Sequence, residues 1–555
     1  METRAIETLL DLLDDAVVRF GDQPALAIRH EDGSTRGWTY RELERHTRAA
    51  AFRLRALGLE KGDRVLTWSP STPELPATYL GAIRAGLVIV PLDLRMSREA
   101  IEGIVRTSGA KRLIVGTGHD APSPNAFGLG DFATTTVETI GAAPDEGEMP
   151  LPADWEAQVA AWPRPRPDDL VELIFTSGTT GTPKGVMLAH DNLIAANRTF
   201  HRIVPPMEHR IVSLLPLSHL LEQAVGVFYA LSVGASVLYV RSRNPRVIFE
   251  ALRAHRVTSM VVVPQVLDLF WSAIEREVEK SGRAKLFALL RSIARRLPMP
   301  VRRLIFRRVH AQLGGSFRLF MSAGAFLPPA LQQAWEDLGV TVLQGYGATE
   351  TGTGSSTTLD DHGLGTVGYA PEGIEMRLAD DGEVQFRGAS LFKGYWDAPE
   401  LTAAAFTEDR WYKTGDVGHL DPKGRLILSG RKKDIIVLPN GFNVYPEDIE
   451  NALRVAGLRD SVVLETAPGR IEAILLAPGA GPIRTAGEAL GFDPGAPPPE
   501  VRAPIDAAVK AANGTLGPNQ RIAGWRLWPE SDFPRTHTLK VKRDLVRAWV
   551  GANPL

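Results

Sequence analysis

The chain of 555 residues contains no cysteine. Disulfides, thiolate metal sites and cysteine nucleophiles are therefore excluded, and the composition is compatible with a reducing compartment. The sequence also contains no apolar run that approaches the ~20 residues of a membrane-spanning helix. Its first seven residues include two glutamates, which is not typical of a secretory signal. We therefore expect a cytoplasmic protein.

A strong excess of charge of either sign is absent as well. The formal net charge is −2, so the chain has no overall attraction to nucleic acid. Hydrophobic residues make up 44% of the chain and charged residues 23%, as in ordinary globular proteins. Because one core rarely organises a chain of this length, we expect two or more domains.

Short apolar runs alternate with helical patterns between about residues 60 and 350. The predicted strands are Arg64–Trp68, Leu87–Pro91, Arg112–Gly116, Ile211–Leu215, Ser236–Val240, Ser259–Val263 and Phe317–Met321. The predicted helices include Glu74–Ala85, Pro245–Ala254 and Pro328–Leu338. This alternation predicts an α/β fold with largely parallel sheets, in which ligands bind beyond the carboxyl ends of the strands.

The pattern changes twice farther along the chain. Residues 364–428 are rich in glycine, turns and short β-like segments, and we interpret them as a smaller β subdomain. After residue 430 the pattern becomes α+β. We therefore predict a large N-terminal domain over residues 1–430, with two α/β subdomains and the β subdomain, and a small α+β C-terminal domain over residues 431–555.

A glycine loop with many hydroxyl groups, Thr176–Gly185, follows the apolar run Leu173–Phe175. Its backbone N–H groups and hydroxyls can converge on an anion, and Lys184 adds a positive charge. The phosphate tail of a nucleotide is the expected anion. The loop is not a Walker A motif, which needs Gly-Lys followed by Ser or Thr, because Pro183 precedes the lysine and Gly185 follows it.

Four further motifs follow this loop in order: Tyr346–Glu350, Tyr412–Asp416, Gly430–Asp434 and Pro534–Lys540. Glu350 offers hard oxygen ligands for Mg²⁺, and Asp416 can accept hydrogen bonds from two ribose hydroxyls. Together with the glycine loop, the series resembles the adenylate-forming superfamily of acyl-CoA synthetases, luciferases and adenylation domains. The resemblance covers nearly the whole chain and is closest to the long-chain fatty acyl-CoA synthetases.

The resemblance implies a two-step reaction that uses ATP, Mg²⁺ and CoA as a co-substrate. A carboxylate attacks the α-phosphate of ATP to give an acyl-adenylate and pyrophosphate, and a thiol then displaces AMP. The first step brings an anion to a phosphate that is already anionic. The protein must therefore supply positive charge, hydrogen-bond donors and a metal.

The resemblance also assigns roles to residues in the large domain. Those implied to hold the β- and γ-phosphates are Thr176, Ser177, Gly178, Thr179, Thr180 and Lys184. Thr349 would donate to the α-phosphate, and Glu350 would bind Mg²⁺ together with Thr176. The adenine would lie against Gly324, Tyr346 and Gly347. His219 would lie near the acyl carboxylate, although a histidine at a strand end is often just a hydrogen-bonded part of the structure.

Nearer the C-terminus, the resemblance implies that Asp416 and Arg431 contact the ribose. Lys433 corresponds to the hinge about which a mobile C-terminal domain rotates between the two steps, and Gly441 would let a pantetheine arm approach closely. Lys540 would lie between the α-phosphate and the incoming carboxylate. Lys542 is the alternative, because the residue before Lys540 is a leucine where the family usually has glycine.

The expected acid is a medium- or long-chain fatty acid. Leu215–Gln223 is similar to the long-chain enzymes, and Leu220–Leu238 is mostly small and apolar, as in the wall of an acyl tunnel. Some long-chain members have a tryptophan gate where this chain has Gln223, so chain length stays open. The alternatives are a fatty acyl-AMP ligase that loads a carrier protein, an aryl or other acid–CoA ligase, a luciferase-type oxygenase and an ATP-binding protein without catalysis.

The segment Ser272–His310 holds eleven Lys or Arg residues and three acidic residues, with apolar residues between them. One interpretation is a solvated helical hairpin that covers the core. The other is a basic amphipathic surface that contacts an anionic membrane, which would place the protein peripherally on the inner membrane face.

Overall fold

The structure is a computed structural model that describes residues 5–118, 120–176, 183–205, 207–242, 244–458, 460–477, 493, 495–536 and 540–553. The chain divides into two compact units. Unit 1 comprises Met1–Arg377, Gln385–Lys413 and Gly424–Leu426, and unit 2 comprises Leu378–Val384, Thr414–Lys423 and Ile427–Leu555. A domain boundary at residue 431 stays a prediction.

The strands are β1 (Pro24–Arg29), β2 (Thr35–Thr39), β3 (Arg64–Trp68), β4 (Val88–Pro91), β5 (Arg112–Val115), β6 (Thr134–Thr136), β7 (Leu170–Thr176), β8 (Lys184–Ala189), β9 (Arg210–Ser213), β10 (Ser236–Val240), β11 (Ser259–Val262), β12 (Leu319–Ser322), β13 (Thr341–Tyr346), β14 (Ser355–Ser356), β15 (Ile374–Leu378), β16 (Glu383–Gly388), β17 (Gly394–Tyr395), β18 (Tyr412–Leu420), β19 (Leu426–Arg431), β20 (Ile436–Val437), β21 (Asn443–Val444), β22 (Ser461–Ala467), β23 (Arg470–Leu475) and β24 (Gly524–Leu527).

The α-helices are α1 (Leu9–Phe20), α2 (Tyr40–Ala56), α3 (Glu74–Arg84), α4 (Arg98–Ser108), α5 (Val137–Gly141), α6 (Trp155–Ala160), α7 (His190–Ile203), α8 (Leu220–Gln223), α9 (Ala230–Val233), α10 (Pro245–Ala254), α11 (Pro264–Lys280), α12 (Ala284–Ala294), α13 (Met299–Ile305), α14 (Arg307–Gln312), α15 (Pro329–Asp337), α16 (Pro399–Ala404), α17 (Pro446–Val455), α18 (Pro499–Thr515) and α19 (Arg543–Ala552). A π-helix, Ala224–Tyr229, joins α8 to α9. No helix in the described ranges is both long and apolar enough to cross a bilayer.

Two large sheets carry the candidate site residues of unit 1. The eight-stranded sheet has the order β14-β13-β12-β11-β9-β10-β1-β2, with parallel neighbours from β13 to β1 and antiparallel pairs at both edges. The seven-stranded sheet has the order β17-β8-β7-β4-β3-β5-β6, with parallel neighbours from β7 to β6. The predicted α/β class with largely parallel sheets is confirmed.

Several elements begin and end where the sequence predicts. β3, β10 and α10 have the predicted bounds. Helix α10 starts at Pro245 because proline suits the first helical position and the Asn244 side chain accepts a hydrogen bond from the Arg246 N–H at 3.0 Å. Strand β9 ends at Ser213, two residues earlier than predicted, because the chain leaves the sheet before Pro216.

The predicted β region contains β15, β16, β18 and β19, which form a four-stranded sheet. Unit 2 contains the hairpin β20-β21 and the three-stranded sheet β22-β23-β24. Helices α17 and α18 cover that sheet with apolar side chains that are almost fully buried, including Ile449, Leu453 and Ile505. These elements confirm the predicted α+β character of the C-terminal part.

Two glutamates are fully buried in unit 1, Glu172 on β7 and Glu222 on α8. Their polar neighbours are neutral: Gln223 lies near Glu172, and Ser213 and the backbone of Leu215 lie near Glu222. Burial raises the pKa of each carboxyl to about 8, because the charged form is poorly solvated there. Both side chains are therefore mostly neutral at pH 7, which lets the core hold them without a cationic partner.

We predict that Glu172→Gln makes the stability of unit 1 less dependent on pH. The native carboxyl keeps a proton that the unfolded chain releases above the ordinary pKa of 4.5, so the stability that it contributes below that pKa is lost as the pH rises towards 8. The amide does not titrate. The melting temperature of the variant minus that of the parent protein should therefore increase between about pH 5 and about pH 8.

Thermal unfolding scans across that range provide the measurement. Glu156→Gln, at an exposed position on α6, is the matched control and should show a constant difference from the parent protein. A constant difference for Glu172→Gln as well would mean that the buried carboxyl does not titrate in this range.

Candidate active site

Two neighbouring strands of the eight-stranded sheet end side by side. Strand β12 ends at Ser322 and pairs in parallel register with β13, so that Ser322 lies opposite Gln344. Gly324 lies two residues beyond the end of β12 and Tyr346 is the last residue of β13, so both lie at this edge of the sheet. Gly324 has a φ of +83°, which favours glycine, and the Tyr346 ring packs 5.9 Å from Phe386. The edge offers open backbone beside an aromatic face, as an adenine platform requires.

The loop after β13 carries Thr349 and Glu350, both half-buried. A Cβ at Gly347 would lie 3.1 Å from Oγ1 of Thr351, so glycine suits this tight start of the loop. The same Oγ1 accepts a hydrogen bond from the backbone N–H of Ala348 at 2.9 Å. This local closure fixes the two candidate side chains close to the strand end.

Tyr395 joins this loop to the seven-stranded sheet. Its hydroxyl donates a hydrogen bond to Oε1 of Glu350 at 3.1 Å. It lies on β17, which pairs with β8, and Nζ of Lys184 is 5.3 Å from the centroid of its ring. Thr176, the last residue of β7, pairs with Lys184 across the β7-β8 hairpin. Unit 1 thus brings Thr176, Lys184 and Glu350 to one region.

The middle of the glycine loop lies outside the described residues. Ser177, Gly178, Thr179 and Thr180 belong to it, so their contacts with phosphate stay predictions. The two flanking positions, Thr176 and Lys184, end β7 and begin β8. The loop therefore leaves and re-enters the sheet beside Tyr395, where an anion bound by the loop would also be near Glu350.

His219 lies between β9 and α8 and contacts a buried carboxylate. Its Nε2 is 2.9 Å from Oδ2 of Asp93, whose side chain is 1% exposed. Burial raises the pKa of Asp93, but the hydrogen bond with His219 and the charge of Arg95 outweigh that effect and hold the pKa below its ordinary value. An aspartate that stays ionised fixes the orientation of the imidazole ring. The hydrogen bond at one ring nitrogen also sets whether the other nitrogen donates or accepts.

The segment that follows His219 is buried but not wholly apolar. Gln223, at the position of the family's gate, is fully buried and donates a hydrogen bond from Nε2 to the carbonyl of Leu217 at 2.8 Å. Glu222 precedes it, and the π-helix then continues the buried run. The amide at the gate position is therefore held by the backbone of the same loop.

A cavity of about 360 Å³ lies beside the end of the π-helix. Its lining combines apolar side chains such as Val233 with the charged side chains of Asp15, Arg19 and Arg198. Tyr229 and Val233 belong to the segment predicted to line an acyl tunnel.

In unit 2, the structure brings together the two residues predicted to contact ribose. Nε of Arg431 lies 2.7 Å from Oδ1 of Asp416. The backbone N–H of Asp416 donates to Oγ1 of Thr414 at 3.0 Å, and Gly415 between them has a φ of +70°. The aspartate therefore lies on β18, directly after a glycine with left-handed backbone geometry and beside the guanidinium of Arg431.

Lys433 and Gly441 are exposed in unit 2. Lys433 lies in a single 3-10 turn, Lys432–Asp434, directly after β19. Gly441 has a φ of +79°, and its N–H donates to the carbonyl of Leu438 at 2.8 Å in the turn between β20 and β21. That turn geometry is itself a reason for glycine at this position. The hinge and pantetheine roles stay predictions.

Lys540 is exposed in unit 2, directly after three residues outside the described ranges. Its carbonyl accepts a hydrogen bond from the Thr536 N–H at 2.7 Å, and its N–H donates to Oγ1 of Thr536 at 3.2 Å. Next to it, Arg535 and Val541 form a β-bridge. Lys540 thus lies beside Thr536, next to the bridge between Arg535 and Val541. Lys542 follows it, and its N–H donates to the carbonyl of Pro534 at 2.8 Å.

The donor chemistry near Tyr395 fits Mg²⁺. In the described part of the chain, no group of three or more His, Cys, Asp or Glu side chains could hold a metal. Mg²⁺ does not need such a cage, because it is usually bound through one or two carboxylates together with substrate phosphates. Glu350 supplies one carboxylate and Thr176 one hydroxyl, both hard oxygen donors.

Sequence reasoning did not identify Asp93 or Tyr395. Asp93 follows the end of β4, and a carboxylate just beyond a buried parallel strand is a detectable signal for a functional position. Tyr395 lies in a short β segment after Gly394 and gives no comparable signal. Its importance depends on a strand pairing with β8 across more than 200 residues of sequence.

Comparisons with known proteins agree with the resemblance. The model of a family described as AMP-binding enzyme matches residues 13–396. The chain is 32% identical to the long-chain-fatty-acid–CoA ligase FadD15 of Mycobacterium bovis, over 95% of this chain and 93% of that protein. It is 30% identical to the sulfoacetate–CoA ligase of Cupriavidus necator, over 84% of this chain and 85% of that protein.

A solved structure supports the fold. ATP-bound MatB from Rhodopseudomonas palustris matches with a TM-score of 0.73 at 23% identity, over 98% of this chain and 99% of that one. The family match covers well over half of the chain, and the relative at 32% identity spans almost all of it. The chain therefore belongs to the AMP-binding enzymes, the adenylate-forming superfamily that its motifs resemble.

Proposed function

We propose that the chain activates a medium- or long-chain fatty acid with ATP and then transfers the acyl group to CoA. The family and the curated relatives make it an adenylate-forming CoA ligase, and the fatty acid is the finer part of the proposal. The observation that best supports the activity is the cluster of Thr176, Lys184 and Glu350 around Tyr395. It places the lysine of the predicted phosphate loop near the carboxylate predicted to bind Mg²⁺.

In the first step, an oxygen of the fatty acid carboxylate forms a bond to the α-phosphorus of ATP. The bond from that phosphorus to the bridging oxygen breaks, and pyrophosphate leaves with the electron pair. Lys184 and the hydroxyl of Thr176 offset charge on the leaving phosphates, and Thr349 donates to an α-phosphate oxygen. Mg²⁺, held by Glu350 and Thr176, would neutralise charge on the phosphates.

In the second step, the sulfur of CoA forms a bond to the acyl carbon after its thiol loses a proton. The bond between that carbon and the phosphate oxygen breaks, and AMP leaves. We propose that Asp416 and Arg431 hold the ribose of the nucleotide, since the two side chains are 2.7 Å apart and offer both acceptor and donor groups. Gly441 is proposed to face the pantetheine arm, with Lys433 as the hinge between the steps.

Two observations support a fatty acid as the substrate. The 32% identical relative is named a long-chain-fatty-acid–CoA ligase, and the segment from Leu220 to Leu238 is almost entirely shielded from solvent. Each CH₂ group buried in such surroundings contributes about 0.8 kcal/mol, which favours long acids over short ones.

Product analysis tests which carboxylic acid is the substrate. The reactions contain ATP, Mg²⁺, CoA and one of a series of acids from acetate to long-chain fatty acids, with sulfoacetate, benzoate and cinnamate included. We expect acyl-CoA, AMP and pyrophosphate, with kcat/KM highest for medium or long chains. A preference for sulfoacetate or an aromatic acid would contradict the fatty acid. Accumulation of acyl-AMP without acyl-CoA would instead identify an acyl-AMP ligase.

We predict that Lys540→Ala lowers the rate of adenylate formation by a factor of about 10²–10³, because one cation beside the developing charge would be lost. Pyrophosphate release in single-turnover reactions without CoA measures this step. Lys542→Ala is the matched control, since it removes an exposed lysine two residues away and should change the rate little. The opposite ranking of the two variants would assign the role to Lys542.

Asp93 is proposed as a positioning residue that acts through His219. If His219 contacts the acyl carboxylate, Asp93→Asn should raise the KM for the acid about tenfold and leave the KM for ATP unchanged, because a charged hydrogen bond is lost. Asp191→Asn, which removes the carboxylate of another ion pair at 2.6 Å, is the control and should change neither constant.

A second measurement separates positioning from a general structural role. In a His219→Ala background, Asp93→Asn should have no further effect on the KM for the acid. An additive effect in the double variant would show that Asp93 acts independently of His219. A rise in the KM for the acid in Asp191→Asn as well would show that the effect is not specific to Asp93.

A further inference from the structure

Helices α12 and α13 leave an unusual number of large apolar side chains exposed. Fifteen such side chains are exposed in the described ranges, and five of them fall within the nineteen residues from Leu286 to Leu304. These five are Leu286 at 52%, Leu289 at 57%, Ile293 at 48%, Val301 at 40% and Leu304 at 69% exposure. Isolated exposed apolar residues need no explanation, but a cluster of this kind marks an interaction surface.

The five residues belong to defined faces of the two helices. Leu286, Leu289 and Ile293 are spaced three and four residues apart and therefore share one face of α12. The opposite face holds α12 to the body of unit 1. There Phe287 packs against Trp271 and Phe306, with ring centroids 6.2 and 5.6 Å apart, and Ala294 is fully buried. The exposed face is thus not a core face that a small rotation would bury.

Basic side chains surround these apolar residues without acidic neighbours in sequence. Residues 281–310 contain nine Lys or Arg and no Asp or Glu. Four of the nine have a structural role. Arg291 and Arg295 lie 3.4 and 2.9 Å from the buried carboxylate of Asp337, and Arg302 and Arg303 donate to backbone carbonyls.

The other five basic residues face solvent: Arg283, Lys285, Arg296, Arg307 and Arg308. Their side chains form no ion pair with any residue that the structure describes. They flank the apolar face at the start of α12, at its end and at the start of α14. Exposed aliphatic side chains that lie between exposed cations along the chain suit a lipid surface, where acyl chains lie next to phosphate groups.

We propose that α12, α13 and the start of α14 form a docking surface for an anionic lipid bilayer. Leu286, Leu289 and Leu304 would enter the boundary between headgroups and acyl chains, and the five basic side chains would contact lipid phosphates. A second copy of this surface is disfavoured as the occupant, because it would bring five positive charges against five others. The proposal rests on exposure and charge alone, so it holds whichever acid the enzyme uses.

Co-sedimentation of the full chain with vesicles tests the proposal. One set contains equal parts of phosphatidylglycerol and phosphatidylcholine, and the other contains phosphatidylcholine alone. We expect binding to the anionic vesicles at low salt, release at high salt and little binding to the neutral ones, because each basic side chain near an anionic surface strengthens binding about fivefold. Equal binding to both sets would overturn the charge argument.

Two variants locate the surface. The triple variant Leu286→Ser, Leu289→Ser, Ile293→Ser removes only exposed apolar groups, and the quintuple change of the five basic residues to Gln removes only solvent-facing charge. Each should weaken binding to anionic vesicles at least about tenfold, since both parts contribute to the contact. Circular dichroism and thermal unfolding establish that the variants are folded.

The matched control changes three exposed leucines elsewhere in unit 1, Leu359, Leu364 and Leu401, to Ser. It should bind like the parent protein. If both surface variants bind anionic vesicles like the parent, the bilayer contacts another part of the molecule and the proposal fails. If they alter the sedimentation coefficient of the protein without lipid and leave vesicle binding unchanged, the surface mediates self-association instead.

Discussion

The hydrogen bond from Tyr395 to Glu350 is the constraint on which the candidate active site in unit 1 depends. Glu350 comes from the loop after β13 in one sheet, whereas Tyr395 lies on the edge strand of the other sheet beside Lys184. A neutral donor can orient a carboxylate without cancelling the charge that a metal ion needs. Burial and the charge of Glu350 raise the pKa of Tyr395, so the hydroxyl keeps its proton and stays a donor. The two sheets are thereby linked beside the predicted phosphate loop.

The buried carboxyl groups of unit 1 differ in whether they carry a charge. Glu172 and Glu222 lack cationic partners among the described residues, and burial keeps them mostly neutral. Asp93 is also buried, but His219 and Arg95 keep it ionised. The difference lies in the neighbours rather than in the depth of burial. An ionised carboxylate is therefore found where it orients a candidate catalytic ring, and neutral ones fill the surrounding core.

The sequence allowed elements to be predicted where local physics decides them. β3, β10 and α10 follow from apolar runs, a helix cap and a proline at the first turn. The pairing of Thr176 with Lys184 follows from a hairpin that closes a short loop. The contact of Asp93 with His219 joins positions 126 residues apart, and no local pattern encodes such a distance. The π-helix and the buried glutamates likewise depend on tertiary packing, which overrides the amphipathic pattern on which sequence reasoning relies.

Composition alone could not separate the two interpretations of the basic segment, because both require many lysines and arginines. The structure shows that these residues form two groups with different roles. Arg291 and Arg295 bind the buried Asp337 and hold α12 against the core, as a covering helical hairpin requires. The bases that remain face solvent beside exposed leucines, as a lipid-binding surface requires. A helix anchored by one set of charges is fixed in rotation, and only a helix fixed in this way can present the same apolar face to a bilayer each time. The structural role of the first group is thus what makes the proposed surface specific.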